Sequence, residues 1–254
     1  MFMIYAVVNQ KGGVGKTTTT INLGACLAQE GCRVLLIDMD PQGNTTSGVG
    51  IHTDKLESTI YQVLAGQTTV VDTIHPTAVD NLHILPSDQD LAALEIELAQ
   101  EEDKAHFLKN TIKDLKEVYD YILIDCPPAL GVLTINALTA AEKVIIPLQC
   151  EYFALEGLSR LLSTMQMVKK GLNPDLKMEG ILLTMFDSRT TLSSDVEQEA
   201  RKHFGEKIFN TFIPRNVRLS ESPSYGLPII RYAPESKGAL AYKNLAKEII
   251  INYG

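Results

Sequence analysis

The chain has 254 residues and a net charge of −8, from 23 basic and 31 acidic side chains, and 45% of it is hydrophobic. That balance excludes a disordered or collagen-like chain, and no apolar run approaches the roughly 18–20 residues needed to cross a bilayer. Four cysteines without C-x-x-C or metal-ligand spacing, and an apolar start with no basic flank or cleavage site, predict reduced thiols in a cytoplasmic protein. In chain order, Met3–Val8 predicts a first strand, Gly12–Lys16 interrupts it, and Thr17–Glu30 predicts a helix that stops at Gly31. Arg33–Ile37 predicts a second strand, broken by the turn residues Asp40 to Asn44. Leu82–Leu85 reads as a short strand, Leu91–Ala99 and Ala105–Leu115 as helices, and Tyr121–Ile124 as a strand stopped by Cys126-Pro127-Pro128. Lys143–Pro147 predicts a strand, Leu155 to Lys169 a helix, Gly180–Met185 a strand and Ser193–Phe204 a helix. Ile208–Ile213 predicts a last short strand and Gly238–Ile251 a closing helix.

Short, wholly apolar strands alternating with longer helices predict an α/β fold: a mostly parallel twisted sheet with helices on both faces. No repeat or long linker divides the chain, so residues 1–254 read as a single domain. Ligands of such sheets sit in the loops beyond the carboxyl ends of the strands. The charge is uneven. Residues 1–200 carry 14 basic and 27 acidic side chains (−13), and residues 201–254 carry 9 and 4 (+5). A basic last fifth on an acidic body leaves room for an anionic partner there.

Lys11-Gly12-Gly13-Val14-Gly15-Lys16-Thr17-Thr18 lies between the first strand and the first helix, where a phosphate-binding loop belongs. Glycines let backbone N–H groups turn toward phosphate oxygens, and the helix N-terminus adds partial positive charge. Lys16 is placed to reach the β- and γ-phosphates, and the Thr17 hydroxyl to hold Mg²⁺. The loop departs from the general G-x-x-x-x-G-K-[ST] form, because Gln10 stands where the first glycine belongs. Two apolar strands also end in acid, at Asp38 and Asp125. A carboxylate at the ligand edge of a buried strand needs compensation, and a metal ion is its natural partner. Asp125 is the first candidate, with Asp38 as a second for the same shell and Asp40 on the turn beyond.

The altered loop, K-G-G-x-G-K-T-T, resembles the deviant Walker A motif of the ParA/MinD ATPase superfamily of P-loop NTPases. The resemblance runs along essentially the whole chain and is closest to the Soj/ParA partition ATPases. Asn9–Gly24, Leu35–Asn44, Tyr121–Pro128 and Ile213–Ile229 carry it. It implies an ATPase using ATP and Mg²⁺, with Lys11 reaching the partner subunit's nucleotide, Asp125 as the Walker B residue and Asp40 orienting the attacking water. Pro214 and Asn216 would lie against the adenine, and Arg189 and Arg218 would contact DNA, with Arg215 and Arg231 as weaker candidates. It further implies a homodimer when ATP is bound, binding to double-stranded DNA without sequence preference, and hydrolysis stimulated by a ParB-type partner. Such a protein is cytoplasmic and nucleoid-associated. Nothing before the first strand offers a helix-turn-helix for operator reading.

Three other functions are weighed on the same residues. A MinD-like membrane ATPase needs a basic amphipathic C-terminal helix. The end of this chain supplies only Lys243 and Lys247 beside the stripe Leu245, Ala246, Ile249 and Ile250, so a core helix without stable membrane association is expected. An iron–sulfur reductase needs cysteines in small, open settings, which Cys126 before Pro-Pro and Cys150 before Glu-Tyr-Phe do not offer. The third is a nucleotide-gated DNA-binding module in which hydrolysis only resets the gate.

Overall fold

A computed structural model describes residues 2–97, 103–151 and 157–251. The first predicted strand forms as β1 (Met3–Val7), and the helix behind the glycine loop as α1 (Lys16–Gln29). There follow β2 (Val34–Asp38), the short helices α2 (Asn44–Gly48), α3 (Ile60–Leu64) and α4 (Val70–Thr73), then β3 (His75–Pro76) and β4 (Leu82–Leu85). Next come α5 (Leu91–Glu97), α6 (Phe107–Ile112), β5 (Tyr121–Asp125), α7 (Val132–Ala140), β6 (Lys143–Gln149), α8 (Leu158–Gly171) and β7 (Lys177–Thr184). The chain closes with α9 (Thr191–Phe204), α10 (Val217–Glu221), α11 (Ile229–Tyr232) and α12 (Lys237–Ile251). Residues 98–99, the predicted end of one helix, and 155–156, the predicted start of another, lie outside the described residues.

The seven strands form one sheet in the order β3-β4-β2-β5-β1-β6-β7. All neighbours run parallel except the short β3, which pairs antiparallel with β4 at the edge. Strand alternation then sorts the apolar runs into two cores. Ile4, Ala6, Ile122, Ile124 and Ile146 face α7 and α8, while Tyr5, Val7, Leu36 and Leu123 face α1 and α12. Gly24 lets α1 lie close on that second face: a Cβ there would stand 2.6 Å from Leu36 Cδ2. The stripe of α12 is spent on this packing, with Tyr242, Leu245, Ala246 and Ile249 buried beside α1. Among the described residues no helix is long and apolar enough to cross a membrane.

Two predictions are corrected. Helix α7 goes unread in the sequence because it is buried almost all round. Its polar residues hide too, Thr134 and Thr139 by donating to the carbonyls of Ala129 and Ile135. A helix without a polar face has no periodic contrast. The topology nonetheless requires a crossover there, since β5 and β6 flank β1 on opposite sides. Conversely, Ile208–Ile213 is not a strand. It touches the edge of β7 through the N–H groups of Phe209 and Ile213, which donate to Ile181 and Leu183. Between them the Glu248 carboxylate of α12 accepts the N–H groups of Asn210 at 2.7 Å and Thr211 at 3.0 Å, which interrupts the ladder.

Candidate functional site

The carboxyl ends of β1, β2, β5, β6 and β7 point to one edge, and their loops converge there. After β1, Asn9 orders the chain: its amide donates to the Pro147 carbonyl at 2.7 Å, and its oxygen accepts the Lys11 N–H at 3.0 Å. On the far side of the loop, the Thr184 hydroxyl donates to the Val14 carbonyl at 2.8 Å. The glycine loop is thus pinned to β6 and β7 before it enters α1. Gly13 and Gly15 have φ of +75° and +94°, which L side chains rarely adopt, and among the described residues nothing stands within 4 Å of where side chains at Gly12 and Gly13 would begin. Gly15 caps α1 without any side chain, so among the described residues the first N–H groups of the helix have no side-chain acceptor. An open cradle of this kind takes an anion.

Lys16 is 7% exposed, and its Nζ donates to the Lys11 carbonyl at 3.1 Å. Burial lowers its pKa, against the pull of Asp125, Cys126 and Asp40. Below it lie the two strand-end acids. The register of β2 on β5 sets Asp38 opposite Asp125, and both are fully buried. Asp125 accepts the hydroxyls of Thr17 and Thr45 at 2.7 Å each, and of Thr20 at 3.3 Å. Asp38 accepts the backbone N–H groups of Thr46 and Asp40 and the Thr46 hydroxyl. Burial raises both carboxyls, and for Asp38 the facing Asp125 adds to the shift.

This donor set fits a small divalent cation. Mg²⁺ is held by few protein oxygens and completes its shell with phosphate and water. Thr17 and Asp125 offer a rotatable hydroxyl and a carboxylate beneath the cradle. Asp38, expected in the same shell, spends both oxygens on the loop it begins, including two fixed backbone N–H groups, so its geometry suits a tether for residues 40–46. Among the described residues no cluster of three His, Cys, Asp or Glu stands ready to hold a metal alone. Burial pushes the Cys126 thiol far up, and the side chain packs within the core.

The raised pair has a consequence for stability. An acid whose folded pKa exceeds its unfolded value stabilises at low pH and loses that contribution as pH rises through the folded value. The ligand-free and metal-free protein should therefore lose stability, relative to Asp125→Asn, as pH rises from about 4 into the neutral range. Thermal midpoints of both proteins between about pH 4 and 7 test this; parallel curves would refute it.

Asp40 is 8% exposed on the turn after β2. Its Oδ1 accepts the Gln42 N–H at 3.0 Å, and its carbonyl accepts the Ser87 hydroxyl at 2.9 Å, so β4's exit loop braces the turn. Lys11 is half exposed and ion-paired with Glu151, just beyond β6. Beside the cradle a cavity of about 360 Å³ opens between Thr18, Thr184, Pro214, Asn216 and Tyr242, a size typical of ligand pockets. The Asn216 oxygen caps α10 by accepting the Arg218 N–H at 2.9 Å. The Tyr242 hydroxyl pairs with that of Thr19 at 3.1 Å. Arg189 and Arg218 are exposed on neighbouring segments, joined by a parallel bridge between Phe186 and Pro214.

Glycine loop, both strand-end acids, Asp40 and the Pro214–Asn216 segment are brought to one edge, with Arg189 and Arg218 beside them. Sequence reasoning missed Asn9, Thr45, Thr46, Ser87, Glu151 and Tyr242. Thr45 and Thr46 follow the turn directly, and two adjacent hydroxyls behind an acidic strand end were a usable signal. The others are distant in sequence from what they touch.

Comparison with known proteins bears on the family and the fold. Residues 2–178 match the family model described as an AAA domain. The chain is 56% identical over 252 residues to the sporulation initiation inhibitor protein Soj of Bacillus subtilis, covering 99% of this chain and 100% of that one. It is 53% identical to the chromosome partitioning protein ParA of Myxococcus xanthus, covering 97% and 87%. Among solved structures it is similar to cobyrinic acid a,c-diamide synthase from Mycobacterium smegmatis with bound ADP and magnesium, at a TM-score of 0.88 and 39% identity, covering 100% and 96%.

Proposed function

The chain belongs to the Soj/ParA family of chromosome-partitioning ATPases, and from that membership we propose a nucleotide-switched DNA-binding cycle. ATP binding pairs two copies, the pair binds double-stranded DNA without sequence preference, and hydrolysis stimulated by a ParB-type partner releases it. One arrangement carries this: Lys16, Thr17 and the Asp38–Asp125 pair converge beneath an open glycine cradle at the sheet edge.

In this cycle the N–H groups of Gly13–Lys16 receive the phosphates, and Lys16 leaves the Lys11 carbonyl to neutralise them. Mg²⁺, held by Thr17 and Asp125, would offset the charge that develops on the phosphate oxygens. Asp40, braced through Gln42 and Ser87, orients the attacking water. Phosphoryl transfer asks for positioning and charge more than covalent chemistry, and a fixed carboxylate suffices for that role. Pro214 and the Asn216 amide line the cavity for the adenine. Lys11 exchanges Glu151 for the phosphates bound to the partner subunit, which would link nucleotide binding to pairing.

Arg189 and Arg218 are exposed on the two segments that the Phe186–Pro214 bridge joins, and in this reading they form the DNA surface. A few phosphate contacts per subunit bind weakly and with strong salt dependence, and pairing two such patches raises affinity by about 10²-fold or more through avidity. A mobility shift with ADP, ATP and a slowly hydrolysed analogue tests the whole cycle. The shift is expected only with ATP and the analogue. A shift indifferent to nucleotide, or ATP-dependent pelleting with anionic vesicles in place of DNA binding, would overturn it. Arg189→Glu and Arg218→Glu should lose the shift at moderate salt while light scattering still reports an ATP-dependent dimer.

A further inference from the structure

We propose that Asp187 and Glu221 are built-in competitors of the DNA phosphates, each holding one of the two DNA-facing arginines until a duplex displaces it. The inference rests on the DNA-binding reading above. Arg189 is 86% exposed at its side chain, yet its guanidinium is fully engaged on one side. Its Nε and Nη2 donate to the two oxygens of Asp187 at 2.9 and 2.7 Å, and its own backbone N–H donates to the same carboxylate at 3.0 Å. Arg218 repeats the device with a different spacing: its Nη1 donates to Glu221 Oε2 at 2.9 Å, one turn along α10.

Asp187 is held by its backbone, and the Glu221 carboxylate by a second hydrogen bond. The Asp187 N–H donates to the Ser193 hydroxyl, and its carbonyl accepts the Thr190 N–H and hydroxyl at the start of α9. Glu221 Oε2 also accepts the Tyr232 hydroxyl at 3.2 Å, and Tyr232 packs on Tyr225 with ring centroids 4.8 Å apart. The Arg215 N–H donates to the Phe186 carbonyl at 3.2 Å, which brings a third exposed arginine to the same patch. The guanidinium of Arg189 and its N–H hold the Asp187 carboxyl well below the usual range, with Arg215 contributing, so the anion persists at any working pH.

Three arginines with two internal carboxylates leave a patch of net charge +1, where the arginines alone would give +3. Carboxylate and phosphate compete for the same planar fork. An exposed ion pair is weak, so it yields to a duplex that offers many phosphates and resists one that meets a single patch. The acids thereby set a threshold: an unpaired subunit stays off DNA, and a pair with two patches crosses it.

The test is fluorescence anisotropy with a short random-sequence duplex, over a salt series, with ADP and with a slowly hydrolysed ATP analogue. Asp187→Asn, Glu221→Gln and the double variant are compared with Asp114→Asn. That control removes an equal charge from an exposed residue before the amino end of β5, at the opposite end of the sheet. Asparagine and glutamine keep an acceptor for the Arg189 N–H and the Tyr232 hydroxyl, and melting curves confirm folding. Because the two acids sit on different elements, either single variant suffices. Each is expected to tighten DNA binding about 5-fold and the double about 20-fold, with the larger gain in ADP, while Asp114→Asn changes it by less than about 2-fold. Arg189→Ala and Arg218→Ala run alongside. If these lose binding while the folded acid variants bind no tighter than Asp114→Asn, the competitor role is overturned and the DNA surface stands. If the arginine variants bind normally, both fall together.

Discussion

Lys16→Ala is expected to lower affinity for ATP by about 100-fold or more and to abolish ATP-dependent pairing. The residue is nearly buried at the first position of α1, and its ammonium lies at the cradle within reach of the charges of Asp125 and Asp40. A charge-assisted hydrogen bond contributes about 1.5–3 kcal/mol, and here the same cation also offsets two buried carboxyls. Without it, the phosphates would enter a site whose nearest charges are acidic. The fold should survive, because the Nζ makes one bond to a loop carbonyl and packs no core. Titration with a fluorescent ATP analogue, light scattering and a melting curve measure affinity, pairing and folding separately. Normal ATP-dependent pairing in a folded variant would remove the glycine loop from the phosphate-binding role.

Asp40→Ala acts at the opposite end of the cycle. It should bind ATP and pair as the parent does, while phosphate release falls by about 10²–10⁴-fold, the range of a lost general base or water-positioning group. The paired, DNA-bound form then accumulates, so the mobility shift persists where the parent's decays. The alanine also frees the Gln42 N–H from its acceptor. Asp40→Asn retains an acceptor and removes only the charge. Both variants should be inactive if the carboxylate orients water, whereas activity restored in the asparagine variant would make Asp40 a turn residue. Unchanged phosphate release in both would exclude it from the mechanism.

Much of this site is readable along the chain because phosphate loops are local. Glycines, lysine and threonine must be consecutive to form one turn and one helix start, so Lys11–Thr18 carries its chemistry in a single segment. The same holds for Asp38 and Asp125, where a wholly apolar strand ending in acid marks the ligand edge. What stays hidden are contacts between distant segments. Asn9 reaches Pro147, Thr45 reaches Asp125, Ser87 reaches the Asp40 carbonyl, and Tyr242 closes the cavity floor from the last helix. Helix α7 is invisible for a related reason: burial on all sides erases the contrast that marks a helix. The Ile208–Ile213 segment shows the opposite failure, since a strand-like run lost its ladder to a carboxylate on α12.

Composition and the alternation of strand and helix were enough to specify an α/β parallel-sheet domain, one glycine-rich segment a phosphate loop, and the resemblance of that loop and three further segments the ParA/MinD type. These properties depend on neighbours in the chain. Three others depend on the packed sheet. Parallel register sets Asp38 against Asp125, so that two acids eighty-seven residues apart become one buried pair. Their oxygens then divide the work, Asp38 tethering a loop and Asp125 facing Thr17. The net charge of −8 changes meaning in the same way. Along the chain it splits into an acidic body and a basic end, which suggests an anionic partner. In the folded protein Arg189 and Arg218 stand on two segments joined by the Phe186–Pro214 bridge, and each already holds a carboxylate. Charge counted along a chain is additive, whereas the field a duplex meets depends on which charges fold against one another.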